Sequence, residues 1–119
     1  MIDPEERRCF DRQVDRVLEH LPEKVRQLLN EVPLYVEDRP SHKLMREMEI
    51  RFPEELCGCF TGYPAHIEIF RLGLLEMATN DDGVLDEEEL YTQIQTTIMH
   101  ELGHYYGMDE REVEELGYG

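Results

Sequence analysis

Thr96-Thr97-Ile98-Met99-His100-Glu101-Leu102-Gly103-His104-Tyr105-Tyr106-Gly107-Met108-Asp109-Glu110 is the stretch on which the reading of this chain turns. It contains His-Glu-x-x-His. On a helix, residues four apart lie on one face, slightly more than a turn along. His100 and His104 can therefore aim two imidazoles at one point, as a tetrahedral Zn2+ site asks of its ligands. Glu101 follows the first histidine directly and lands beside that point rather than on it. There a carboxylate can take a proton from a water molecule. Gly107 lets the chain leave the helix through a left-handed residue. The turn so made can swing Asp109 or Glu110 back as a third ligand.

Three fixed positions recur by chance on many helices, so the surroundings decide. Leu90, Ile94, Ile98 and Leu102 step by four and predict a helix from about Asp86 to Tyr106 with one buried side. The histidines lie on a neighbouring face, so the last two turns are offered to a cleft. A surface helix with two solvated histidines fits this context less well. Beyond it, Asp109 to Leu116 reads as a terminal helix anchored by Val113 and Leu116.

Immediately upstream, Asn80-Asp81-Asp82-Gly83-Val84-Leu85-Asp86-Glu87-Glu88-Glu89 resembles a calcium loop. With Gly83 at the sixth position, Asn80, Asp82, Asp86 and Glu89 fall at the third, fifth, ninth and twelfth. The first position is Ala78, which removes a principal ligand. A polar turn feeding a capped helix, with Asp86 as cap and Glu89 as its box partner, is the stronger reading.

Further back, Ala65–Phe70 alternates and follows a small, apolar run from Leu56 to Gly62 across Gly62-Tyr63-Pro64. Two strands about a tight turn make a hairpin. Leu72 to Met77 suggests a short helix. Val32, Leu34 and Val36 alternate with Pro33, Tyr35 and Glu37 as another strand with one buried face, ended by Asp38-Arg39-Pro40-Ser41. His42 to about Glu49 is weakly helical. At the start, Asp3-Pro4-Glu5-Glu6 opens a helix to about His20, and a second short one follows Leu21-Pro22 to about Asn30. Helices, a strand, a hairpin and more helices describe one small α+β domain over 1–119.

Composition narrows the partners. Twelve Lys and Arg stand against 28 Asp and Glu, a formal charge of -16. Such a surface repels phosphate backbones, so no nucleic acid is expected. No stretch reaches the length of a membrane span and the first residues do not read as a signal peptide, so the expected place is the cytoplasm. Cys9, Cys57 and Cys59 are odd in number and argue against a disulfide framework. Cys57-Gly58-Cys59 invites a metal reading, but no second pair completes a four-ligand site. Reduced cysteines packed in or beside a strand are expected.

From Thr97 to Glu110, with the closing Glu115-Leu116-Gly117-Tyr118, the chain resembles the bacterial minimal zincin-like family of metallopeptidases. These are short proteins ending in His-Glu-x-x-His-x-x-Gly-x-x-Asp and a final helix. The likeness extends over Leu21-Pro22, Val36-Glu37-Asp38-Arg39-Pro40 and Gly62-Tyr63-Pro64 before Ile67-Glu68-Ile69-Phe70. It implies a short twisted sheet with an active-site helix below it, Zn2+ on His100 and His104, and Glu101 as general base. The family's third ligand falls on Glu110, one methylene longer than Asp, with Asp109 as the alternative. Related metzincins place a third His there, which this sequence lacks.

The resulting expectation is zinc-dependent hydrolysis of a peptide or protein substrate lying along an edge strand, for which Ala65–Phe70 is the candidate. Tyr105, Tyr106 or Tyr118 are candidate donors to the developing oxyanion. A reading from another class is a non-catalytic zinc-binding regulator or interaction protein with the same fold. Glu101 separates the two, because only a hydrolase needs it.

Overall fold

Asp3 starts the first helix in the expected way: its Oδ1 accepts the Glu5 amide at 2.7 Å and Pro4 enters the first turn. This is a computed structural model that describes residues 2–105 and Arg111. Helix α1 (Pro4–His20) buries Cys9, Phe10, Val14 and Val17 along one stripe. Helix α2 (Glu23–Glu31) has no fully buried residue and lays Val25, Leu28 and Leu29 against the core from outside.

Strand β1 (Leu34–Glu37) is shorter than the alternation suggests. Val32 ends α2 instead, donating its amide to the Leu28 carbonyl while its side chain is fully buried. Pro33 has no amide to give a ladder, yet its carbonyl accepts from Ile67.

Helix α3 (His42–Glu47) is capped by Ser41, whose Oγ accepts the Leu44 amide. It closes in a Schellman turn. Glu49 donates to the Arg46 carbonyl, Ile50 donates to the Met45 carbonyl, and Glu49 takes φ +56°, a place glycine usually fills. That turn leaves Met48 on the surface, 45% exposed.

A single 3-10 turn at Pro53–Glu55 leads to strand β2 (Gly58–Gly62) and then β3 (Ala65–Phe70), across a cis Tyr63–Pro64 bond. The hairpin is antiparallel, with Gly58 opposite Ile69, Cys59 opposite Glu68 and Phe60 opposite Ile67. Strand β1 adds in parallel to the other side of β3, Leu34 opposite Ile67 and Val36 opposite Ile69. The strand order is β1-β3-β2. Ala65–Phe70 is therefore the central strand, not the edge. Its Ile67, Ile69 and Phe70 are fully buried, while Ala65, His66 and Glu68 are half-buried. Among the described residues the edges are β1 and β2.

Helix α4 (Arg71–Met77) packs against the 3-10 turn, and helix α5 (Glu87–Tyr105) crosses the sheet face carrying Ile67 and Ile69. Leu90, Ile94 and Ile98 are fully buried and Leu102 nearly so. Each such side chain is worth roughly 1.5–3 kcal/mol relative to exposure. They join Phe10, Val17, Leu74 and the β3 isoleucines in one core. The result is a small α+β domain with a three-stranded mixed sheet. Of the expected helix over 109–116, Arg111 alone is described, helical and exposed, and the rest lies outside the described residues. No described helix is long and apolar enough to cross a membrane.

An ion-pair network ties α1, the end of β1 and α4 together. Asp38 receives both Nη atoms of Arg7, at 2.5 and 2.8 Å, and Arg71 Nη1 at 2.9 Å. Arg71 also reaches Asp11 and lies over the Phe10 ring. The hydrogen bonds from Arg7, and then from Arg71, hold the Asp38 carboxyl below its ordinary 3.8 against an opposing effect of burial. A depressed carboxylate stabilises the fold above its unfolded pKa and loses that contribution as pH falls through the folded one. Thermal melts should therefore separate wild type from Asp38→Asn at pH 6, with wild type the more stable. The two curves should converge as pH drops below about 4. A gap that persists at pH 2 would contradict this.

Candidate metal centre

Helix α5 begins at Asp86, whose Oδ1 accepts the amides of Glu88 at 3.0 Å and Glu89 at 3.1 Å. The expected box partner does not return the bond. The Asp86 amide donates to the Ala78 carbonyl, and the Glu89 carboxylate accepts from Gln93. The cap alone is realised.

The calcium reading of this loop finds no support. Asn80 Oδ1 is turned inward onto the amides of Asp82 and Val84, and Asp86 is spent on the helix start. Among the described residues, one group of three His, Cys, Asp or Glu side chains could converge on an ion: His100, Glu101 and His104.

These three sit in the last turns of α5 that the structure describes, half-buried, on the face beside the buried stripe. The Nε2 atoms of His100 and His104 approach to 3.0 Å, with ring centroids 4.7 Å apart. One ligand atom from each of the three residues lies within 4.8 Å of the others. Two Nε2 atoms sharing a tetrahedral zinc, each about 2.05 Å from it, would stand about 3.3 Å apart. The observed spacing is a few tenths shorter, so the imidazole pair fits a zinc ion with little movement.

Strand β2 forms the opposite wall. Gly58 lies so close to α5 that a Cβ built on it would come 2.5 Å from Thr97 Cγ2, one turn before His100. Phe60 meets the Tyr105 ring edge-on at 5.8 Å. Between strand and helix lies a cavity of about 540 Å³, bounded by Phe60, Leu56 and Met48 opposite His100, Glu101 and His104. In the described residues β2 pairs only with β3, and its Gly58, Cys59 and Phe60 line this space.

Cys59 also reaches this cavity. Burial, then the charges of Glu101 and Glu68, push its thiol pKa up, and burial does the same for Cys57. Neither joins the group of His, Cys, Asp and Glu side chains that converges on one point. Cys57 and Cys59 lie beside and in β2, whereas Cys9 is buried on α1, and all three are free in this structure. Cys9 donates to Glu87 and is pushed up to about 11, far from the cleft.

The family model for zincin-like metallopeptidases matches residues 29–119. The chain belongs to that family. No curated protein matches it. A zincin-like metallopeptidase implies a metal, usually zinc, and the His-Glu-His group supplies a fitting donor set. The candidate third ligands, Glu110 and Asp109, lie outside the described residues, as do Tyr106 and Tyr118. Tyr105 is described, with its ring engaged by Phe60.

The sequence reading missed the other side of the cleft. Met48 and Leu56 are distant from the motif in the chain and carry no pattern of their own. Gly58 did leave a signal, since a glycine inside a strand often marks a close backbone approach.

Proposed function

We propose that this chain hydrolyses peptide bonds at a zinc ion held by His100 and His104, with Glu101 as general base. The 3.0 Å approach of the two Nε2 atoms, with a carboxylate in the same group, is the observation that supports it most. The third ligand in this reading is Glu110, with Asp109 as the alternative, on family spacing.

When bound, zinc supplies Lewis acidity, polarising the scissile carbonyl and bringing the pKa of a coordinated water to about 7. The chain's own residues do the rest. Glu101 takes the proton of the attacking water on its carboxylate and delivers it to the leaving amine nitrogen. One water is consumed, the C–N bond breaks, and a carboxylate and an amine are released. The free edge of β2 offers amides and carbonyls to an extended substrate, the role first expected of β3. Three free cysteines suit a reducing compartment, and we place the activity in the cytoplasm.

Metal analysis of the purified protein tests the centre directly. One zinc per chain is expected, falling to none in the His100→Ala, His104→Ala double variant. Wild type that takes up no zinc, or a double variant that keeps it, would overturn the assignment.

A further inference from the structure

We propose that the cleft selects peptides by an asymmetric pair of subsites: a large apolar side chain on one flank of the histidine pair, and a polar, neutral or basic one on the other. Acidic residues are refused on both. The inference rests on the hydrolase reading above and names its substrate class.

The geometry behind it is a cleft in two unlike halves. The cavity already described and a second of about 370 Å³ share Gly58, His100 and Glu101. They adjoin at these three residues, and His104 completes the metal centre on the side of the first. Beyond the shared residues and His104, the first half is walled by Met48, Leu56, Phe60 and Cys59. Met48 is exposed on the rim, and its flexible thioether can close over side chains of different shape. Burying a charge against such walls without a partner is costly, and an apolar side chain meets no such penalty.

The second half is built differently. Thr96, Thr97, Gln93 and the exposed Glu55 line it, with Met77 and Cys57 at its margins. Among the described residues, Glu55 and Glu101 are the carboxylates in the linings of the two cavities, and neither lining includes a described Lys or Arg. The whole chain carries -16. Away from the zinc itself, a basic substrate residue gains from this field, while an acidic one on the second flank meets the exposed Glu55 carboxylate, with no Lys or Arg among the described lining residues to answer it. The occupant is thus an extended peptide lying along the free edge of β2, with successive side chains sampling walls of different chemistry.

The test reads binding separately from cleavage. Zinc-loaded Glu101→Gln protein is presented with position-randomised peptides, and selected sequences are measured by fluorescence anisotropy. Leu, Met and Phe should be enriched at one position. Replacing that residue by Asp should weaken binding about tenfold or more, the scale of an apolar-pocket contact. Met48→Lys, at an exposed position, should erase most of that preference. Glu55→Lys should keep it and admit Asp and Glu on the other flank. A flat profile, an acidic preference, no saturable binding, or a preference indifferent to Met48→Lys and to Leu56→Lys would each overturn the proposal. Wild type that binds in this pattern but never cuts would sink the hydrolase reading and leave the subsites standing. Cleavage without positional preference would do the reverse.

Discussion

Replacing Glu101 with Gln should lower kcat by roughly 10²–10⁴-fold, the usual share of a general base. Zinc should stay at one per chain. The amide has nearly the shape of the carboxylate but cannot take a proton at neutral pH. Glu101 lines both halves of the cleft and lies in the same 4.8 Å group as the histidine nitrogens. A loss of zinc together with activity would instead make Glu101 a ligand. Unchanged turnover would remove the proposed mechanism, and zinc without turnover in wild type would favour a binding protein. The fall should appear in kcat more than in KM, because the lost interaction belongs to the transition state.

The active helix was legible because its period is long and its cap local. Leu90, Ile94, Ile98 and Leu102 repeat every four residues, and Asp86 stands directly before them. The two histidines needed nothing more than that helix to converge. Strand order was not legible in the same way. The β2–β3 hairpin is a local pairing, but β1 joins β3 from thirty residues upstream through a parallel ladder that no turn dictates. Alternation in Ala65–Phe70 shows a strand without saying how many partners it has. The edge therefore passed to β2, and the substrate-facing wall with it. Likewise Asp86 was readable as a cap, but Glu89 as its partner was not, because Ala78 had already taken the Asp86 amide. Met48 comes to the cleft only because the chain turns at Glu49, a left-handed glutamate that composition does not announce.

Gly58→Ala should both loosen the fold and disorganise the site, because one missing methyl sets the distance between β2 and α5. The new Cβ would lie 2.5 Å from Thr97 Cγ2 and 3.2 Å from the Glu68 carbonyl oxygen. Thr97 is β-branched and stiff at its first torsion, so its methyl cannot simply swing aside. The Glu68 carbonyl belongs to the central strand and has nowhere to go. The strand must move away from the helix, at a cost of about 1–3 kcal/mol for an overpacked contact. For a domain of this size that lowers the melting midpoint by roughly 4–12 °C. Thr97 stands one turn before His100, so the same displacement shifts the wall opposite the catalytic group. A misplacement near 1 Å can cost about 10²-fold in rate. The second variant that decides the cause is Thr97→Ser, which deletes the clashing methyl and keeps the hydroxyl. Combined with Gly58→Ala it should return most of the lost stability, leaving a coupling of about 0.5–3 kcal/mol between the two positions. Additive effects would mean that the glycine serves the strand alone and does not set the spacing of strand and helix at the metal centre.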